Sequence, residues 1–308
     1  MSFVTPAPYT YLAGNSAYPS SGLVALYNIA NSKCYTSGSA NVYDLSGNNN
    51  TLVISASSAT YIAASSSLQI NNAPSTASYS QIKSTNELNY NGTYPLHTTS
   101  SVFTIVSFIQ CIDNGAYQPI WYIGNTTRGS NYRQIMGNAQ QAGFTTYKIA
   151  IGSVTGTGGG NGDYYQMSPS DGQFYYWGTP SGNSNFGFRR WSMQSYSKSS
   201  QVNNFNLSIS IRGYGSGSGT WTTGTLTTAT LSTGSYPRID GNTDGSAPLN
   251  YQTNLSNSYL YIGKNPGITG DFSSLPTFQF GGMAIYNRPL TTTEISNLYT
   301  YFINGRTP

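Results

Sequence analysis

Charged residues are scarce in this sequence: Asp, Glu, Lys and Arg make up 7% of its 308 residues, against roughly 25% in an average domain. Apolar residues reach only 37%. Low charge with low hydrophobicity can indicate disorder, but 14% aromatic residues, among them 27 tyrosines, argue for a packed fold. We therefore expect a surface of Ser, Thr, Asn, Gly and tyrosine hydroxyls, which is typical of proteins outside a cytosol or on a particle surface.

Clustered basic residues and long apolar runs are also missing. The 13 basic residues are scattered and the net charge is +4, whereas nucleic-acid binding needs a basic stripe. No run approaches the roughly 18 apolar residues of a transmembrane helix, and the N-terminus lacks the charged and apolar regions of a signal peptide. We expect neither a nucleic-acid partner nor a membrane span. The composition favours a virion or extracellular particle surface, although a mature secreted protein recloned with a new Met would look the same.

Histidine and cysteine are nearly absent. His97 is the only histidine, and Cys34 and Cys111 are the only cysteines. A conventional zinc site therefore lacks ligands, and a Ser/His/Asp or Cys/His site would have only one candidate base. Two cysteines are not a disulfide framework; they either pair with each other or remain two buried thiols.

Acidic residues are few as well, nine in all. A glycoside hydrolase needs two carboxyl groups that flank the scissile bond. Glu294 is expected to cap a helix, and Glu87 has no acidic neighbour. Single acids such as Asp113, Asp163 and Asp171 leave open a pair that meets only in space. The sequence thus predicts a protein that is not an enzyme, with a hydrolase of non-standard carboxylate pair as an alternative.

Short strands dominate what is present. Segments rich in β-branched and aromatic residues, such as GLVALYNI and SVFTIVSFIQCI, are separated by turns of Gly, Asn and Ser. Near the C-terminus, Thr291 and Glu294 have the spacing of a capping box, and an apolar stripe with helical spacing follows at Ile295, Leu298, Tyr299 and Phe302. These patterns predict an all-β antiparallel sandwich with one short C-terminal helix.

Three runs carry a resemblance to a known family. GGMAIYNRPLTTTEISNLY (281–299) resembles the closing strand and helix of concanavalin A-like lectin/glucanase domains of the laminin G-like (LamG) type. The opening at 22–52, with NVYDLSGNNNTL, and LYIGKNP at 260–266 resemble that family in the same order. The resemblance implies a jelly-roll sandwich. Compact LamG domains with such an ending are frequent in phage and large-virus structural proteins, and the fold hosts lectins, glycanases and inert modules.

Two segments depart from the strand pattern. Residues 1–21 hold three prolines and no periodicity, which predicts an extended arm ahead of a sandwich at 22–308; the arm is either loose or docked on a neighbouring subunit. Residues 155–200 form a Gly- and aromatic-rich insertion, a composition typical of binding loops. Its rings either stack on sugars or pack a second β layer or a subunit interface. The candidate carbohydrate-binding residues are Tyr164, Tyr165, Tyr175, Tyr176, Trp177 and Trp191.

One pattern indicates a metal. Asp240, Asn242, Asp244 and the following glycine match the first half of a calcium loop. Tyr251 stands where the bidentate Glu would be, and the same residue types also form ordinary tight turns. Calcium is common in the superfamily that the sequence resembles, so Ca²⁺ is the one candidate cofactor.

Together these observations predict a non-enzymatic structural protein of a virion or particle surface, of the fibre, spike or minor capsid type, with carbohydrate-binding capacity. Its partners would be glycans or neighbouring particle proteins, and a homo-oligomer is expected because such proteins are usually repeated. The alternatives are a secreted-type lectin module and the glycoside hydrolase.

Overall fold

The structure is a computed structural model that describes residues 18–55, 59–70, 82–96, 102–111, 118–124, 132–140, 146–154, 164–167, 191–198, 207–214, 227–231, 259–263, 278–304 and 306. In chain order the strands are β1 (Leu23–Asn28), β2 (Asn41–Val42), β3 (Leu52–Ile54), β4 (Ala59–Ile62), β5 (Ser67–Ile70), β6 (Ile82–Ser84), β7 (Phe103–Cys111), β8 (Gln118–Gly124), β9 (Tyr132–Gln140), β10 (Thr146–Val154), β11 (Tyr164–Met167), β12 (Trp191–Lys198), β13 (Leu207–Tyr214), β14 (Thr227–Leu231), β15 (Tyr259–Ile262) and β16 (Phe278–Tyr286). A 3₁₀ turn lies at Ala63–Ser65, and the helix α1 spans Thr292–Ile303.

The strands form two antiparallel sheets. Sheet A has the spatial order β14-β13-β12-β7-β16-β5-β4, with β1 also paired to β16, and sheet B has the order β11-β10-β9-β8-β15-β6-β3-β2. In sheet A, β16 pairs with β7 along one edge and with both β5 and β1 along the other. The predicted all-β sandwich with one short C-terminal helix is confirmed. Among the described residues, no helix is long and apolar enough to cross a membrane.

Two hydrophobic clusters stabilise this arrangement. The first lies between the sheets and joins residues of sheet A, such as Ile105, to residues of sheet B, such as Leu260. The second lies between the outer face of sheet A and α1. Strand β7 contributes to both because successive side chains point to opposite faces: alternate residues belong to the first cluster (Phe103, Ile105, Ile109) and to the second (Val106, Phe108).

The helix begins as its sequence predicts. The Thr291 hydroxyl accepts a hydrogen bond from the backbone N–H of Glu294 at 3.2 Å, and the Glu294 carboxylate accepts one from the backbone N–H of Thr291 at 2.9 Å. This is a complete capping box, which satisfies two amides that lack a partner within the helix. The predicted apolar stripe is buried on sheet A at Ile295, Leu298, Tyr299 and Phe302.

The packed domain begins earlier than the predicted boundary at residue 22. The ring of Tyr18 is buried and meets Tyr301 edge-on, with 5.0 Å between ring centroids. The Tyr286 hydroxyl donates to the carbonyl of Pro19 at 2.9 Å. Residues 18–21 therefore belong to the sandwich rather than to an arm, and residues 1–17 lie outside the described residues.

The predicted insertion at 155–200 contains two strands of the sandwich itself. Strand β11 forms the edge of sheet B, and β12 lies between β13 and β7 inside sheet A. The sequence WSMQSYSK of β12 hides this position because half of its residues are Ser or Gln, like those of the surrounding loops. The other residues of the predicted insertion, 155–163, 168–190 and 199–200, lie outside the described residues.

Candidate functional site

The predicted sugar-binding rings fall into three groups. Tyr175, Tyr176 and Trp177 lie outside the described residues. Tyr164 and Tyr165 are in β11, where only their backbone register is described, opposite Ala150 and Ile149. The side chain of Trp191, at the start of β12, lies within the described part of the chain.

Trp191 lies in the core, in contrast to the prediction of an exposed ring. Its side chain is 2% exposed. It stacks on Phe108 with 4.8 Å between centroids, and Phe108 stacks in turn on Phe302 at 5.7 Å. A Cβ atom at Gly281 would lie 2.8 Å from the Trp191 ring and 2.6 Å from Phe108, so this glycine makes room for the stack. A ring enclosed in this way offers no face to a sugar, and we leave Trp191 out of the candidate site.

The cation beside this stack, Arg306, also has a structural role. The Arg306 guanidinium lies 5.4 Å from the Phe108 centroid and 5.6 Å from that of Trp191. It donates hydrogen bonds to carbonyl or amide oxygens of Phe302 (2.8 Å), Ser65 (2.9 Å), Asn28 (2.9 Å), Ser66 and Gly281. Burial lowers the pKa of Arg306 to about 9, and each of these bonds satisfies a buried polar group.

Two of the three described acids have structural hydrogen-bond partners. The Asp44 carboxylate accepts hydrogen bonds from the backbone N–H groups of Leu26 (3.0 Å), Ser46 (2.8 Å) and Asn50 (3.0 Å), and so fixes the loop after β2 against β1. The Glu294 carboxylate is held by the capping box and by Arg288. The side-chain hydrogen bond from Arg288 lowers the pKa of Glu294 to about 2. Within the described ranges, no three His, Cys, Asp or Glu side chains are grouped as metal ligands. The calcium candidates Asp240, Asn242 and Asp244 lie outside those ranges.

Cys34 is a free thiol, so it is not bonded to Cys111 in this structure. Its sulfur is buried and accepts a hydrogen bond from the backbone N–H of Asn28 at 3.2 Å. Burial raises the pKa of Cys34 to about 12. Because the thiolate is the reactive form, burial disfavours reaction of this thiol, which packs in the core. His97 lies outside the described residues.

A different cluster of aromatic rings lies on sheet B. In β15, Leu260 and Ile262 belong to the core between the sheets, so the alternating residues Tyr259 and Tyr261 lie on the outer face of the sheet. The register places Tyr261 beside Tyr122 of β8 on one side and beside Lys83 of β6 on the other. On the far side of β6, Val53 of β3 is paired with Lys83. We call these residues the tyrosine–lysine face: Val53, Lys83, Tyr122, Tyr259 and Tyr261.

Part of this face is open to solvent. Val53 is 38% exposed, and Lys83 and Tyr259 are half-buried. Tyr122 and Tyr261 are buried, with 5.8 Å between their ring centroids. The accessible part therefore consists of one aliphatic side chain, one aromatic ring and one cation on three neighbouring strands.

The cation of this face touches aromatic rings. The Lys83 ammonium lies 3.9 Å from the centroid of Tyr259 and 5.6 Å from that of Tyr261, within the range of a cation–π interaction. Between residues that the structure describes, the only ion pair joins Arg288 and Glu294, so Lys83 has no carboxylate partner there. The face is thus positively charged as well as aromatic.

Strand register connects this face to one predicted residue. The cross-strand row that contains Lys83, Tyr261 and Tyr122 continues through β9 and β10 to Tyr164 in β11. Tyr165 belongs to the next row, which contains the core residue Trp121. Strands lie about 4.8 Å apart, so four steps separate the backbones of Tyr261 and Tyr164 by about 19 Å. Tyr164 is on the same row but beyond the reach of one sugar ring at Tyr259.

The sequence reasoning missed the tyrosine–lysine face because it sought binding rings in the Gly-rich insertion. A local signal exists. In YLYI of β15, tyrosines alternate with aliphatic residues, which indicates a strand with one face in the core and an aromatic face outside. The neighbouring lysine has no local signal, because β6 and β15 are distant in the chain and meet only in the sheet.

The sequence matches no protein-family model and no curated protein. Several solved structures are similar in fold. A Trypanosoma rangeli sialidase in complex with 2,3-difluorosialic acid is 12% identical, with a TM-score of 0.51, over 95% of this chain and 35% of that chain. The binding domain of Paraclostridial Mosquitocidal Protein 1 is 14% identical, with a TM-score of 0.50, over 92% of this chain and 53% of that chain.

The binding domain of botulinum neurotoxin DC, solved in complex with rat synaptotagmin II, is 11% identical, with a TM-score of 0.50, over 91% of this chain and 52% of that chain. This chain therefore spans between a third and about half of the structures it resembles. At such identities the likeness concerns fold alone, and the protein shares its all-β sandwich with enzymes and with binding domains alike.

Proposed function

We propose that this protein is a non-enzymatic carbohydrate-binding module and that the tyrosine–lysine face is part of its binding surface. The observation that supports this most directly is the half-buried ring of Tyr259 beside Lys83 on the outer face of sheet B, with the exposed Val53 on the next strand beyond Lys83. Aromatic and aliphatic side chains cover the apolar face of a sugar ring, and a few polar groups fix its orientation.

We also propose that the protein is not an enzyme. Of the three acids that the structure describes, Asp44 and Glu294 are held by structural hydrogen bonds. The side-chain hydrogen bond from Arg288 lowers the pKa of Glu294 to about 2, which makes this carboxylate a poor general acid. The fold itself does not choose between an enzyme and a binding module.

The biological setting is proposed from the LamG-like motifs. The opening motif forms β1 and the polar loop after β2, and the closing motif forms β16 and α1. Together with the low-charge surface, these motifs favour a laminin G-like module of a virion or particle surface, of the fibre, spike or minor capsid type. A secreted-type lectin is the alternative. In the particle setting we expect a homo-oligomer, and sedimentation of a monomer at micromolar concentration would argue against it.

A glycan array tests the binding proposal. The full chain is applied with calcium and with a chelator, alongside Tyr259→Ala and Trp177→Ala, and Tyr43→Ala serves as the matched control because Tyr43 is an exposed tyrosine elsewhere. We expect Tyr259→Ala to weaken a hit by about tenfold or more, as loss of aromatic stacking predicts. Tyr43→Ala should leave the hit unchanged.

The other outcomes of the array locate or reject the site. Loss on Trp177→Ala alone would move the site to the predicted aromatic insertion, and loss with the chelator alone would move it to Asp240–Asp244. A blank array in both buffers would reject carbohydrate binding. Release of new reducing ends from a bound glycan would contradict the proposal that the chain is not an enzyme.

A further inference from the structure

Lys83 is held in place by aromatic rings, and it has no carboxylate partner among the residues that the structure describes. Its ammonium lies over Tyr259 at 3.9 Å and near Tyr261 at 5.6 Å. Its strand, β6, lies between β3 and β15 in sheet B. Lysines that protect a sheet from aggregation lie on edge strands, so edge protection does not explain a lysine at this position.

A carboxylate would compete well for this ammonium. A partly exposed cation–π contact is weaker than a charge-assisted hydrogen bond to a carboxylate. The rings therefore hold the ammonium at the surface, and an arriving anion can bind it without breaking an ion pair to any described residue. Tyr259 on β15 contacts Lys83, and Val53 on β3 is its cross-strand partner on the other side, so different parts of one ligand can contact each of them.

We infer that the tyrosine–lysine face selects saccharides that carry a carboxylate group. This inference rests on the proposed carbohydrate-binding function and adds the class of ligand. The sugar ring lies against Tyr259, and Lys83 donates a hydrogen bond to the carboxylate. A sialic-acid-type terminal sugar and a uronic acid both supply this chemistry, and the experiment distinguishes them.

Titration calorimetry with matched probes tests the inference. The probes are lactose, sialyllactose, the methyl ester of sialyllactose and a disaccharide that ends in glucuronic acid. The methyl ester keeps the shape of its parent and removes the charge. We expect at least one carboxylate probe to bind about tenfold or more tightly than lactose and the methyl ester, as one charge-assisted hydrogen bond predicts. Whether sialyllactose or the glucuronide binds more tightly identifies the source of the carboxylate.

Variants connect this preference to Lys83. Lys83→Gln should remove the preference for the carboxylate, and Lys83→Arg should retain it in part. Lys33→Gln is the matched control because it removes the charge of an exposed lysine in the turn after β1, and it should change nothing. Thermal unfolding of each variant checks that the fold is intact.

The outcomes separate this inference from the proposed function. If lactose and the carboxylate probes bind equally and Tyr259→Ala weakens them all, the selection is overturned and carbohydrate binding stands. If the carboxylate preference survives in Lys83→Gln, the assignment to this face is overturned. If neither the probes nor the glycan array gives binding, both proposals fail together.

Discussion

The outer faces of the two sheets carry the same kinds of residue but differ in how far they are covered. On sheet A, Phe108 and Trp191 lie beside the cation of Arg306, and α1 covers them. On sheet B, Tyr259 and Tyr261 lie beside the cation of Lys83, and part of the face is open. Aromatic rings next to a cation therefore do not identify a binding site by themselves. Exposure of the ring and the hydrogen-bond partners of the cation make the distinction.

The largest expected difference between the two faces is the change in the free energy of unfolding when one aromatic ring is removed from each. Trp191→Ala should lower the free energy of unfolding by about 3–5 kcal/mol, because it leaves a cavity beside Phe108. Tyr259→Ala should lower it by about 1 kcal/mol or less, since this ring is half-buried at the surface. Urea denaturation of both variants measures the difference. Equal losses would contradict the distinction between a covered face and an open one.

Replacing the cation should also lower the free energy of unfolding more on sheet A than on sheet B, but the difference should be smaller than for the rings. Arg306→Met removes the donor from several buried oxygens and should cost about 3 kcal/mol. Lys83→Met keeps the apolar stem of the side chain and should change the free energy of unfolding by no more than about 0.5 kcal/mol. Chemical denaturation checks both values. A costly Lys83→Met would mean that Lys83 is a structural residue, which would weaken its assignment to ligand binding.

The helix α1, which packs on the outer face of sheet A, can be destabilised at its N-cap. Thr291→Ala removes half of the capping box and should cost about 1 kcal/mol. Thr292→Ala is the matched control because Thr292 is the first residue of the helix and not its N-cap. This substitution should change the stability little. Thermal unfolding distinguishes the two. Similar losses for both would place the effect outside the capping box.

The smallest effect concerns pH. The pKa of Glu294 is held near 2 by Arg288 and Thr291, below its usual value, so the ionised form stabilises the fold. This contribution is fully present above about pH 4.5 and is lost as the pH falls toward 2. We expect about 1 kcal/mol at most, because solvent screens this partly exposed pair. Glu294→Gln should flatten that part of the stability curve; an unchanged curve would contradict the assignment.

Local sequence patterns predict the helices and strands whose formation depends on residues close together in the chain. The capping box and stripe of α1 follow from positions three and four apart, and β7 follows from its alternating apolar residues. Strand β12 escapes this reasoning, because its Ser-rich sequence becomes a central strand only through pairing with β7 and β13. Trp191 is misassigned for the same reason, since burial under α1 depends on residues far away in the chain.

The sequence by itself determined the class of the fold, the strands with clear alternation and the capped C-terminal helix, because these depend on local periodicity and capping. Only the tertiary structure decided which rings are covered, and why Arg306 is buried while Lys83 is half-buried. Ser84 and Leu260, which flank the tyrosine–lysine face, are 176 residues apart and joined by a hydrogen bond of 3.0 Å. Strand pairing at that separation depends on packing of the whole sandwich, which no local pattern encodes.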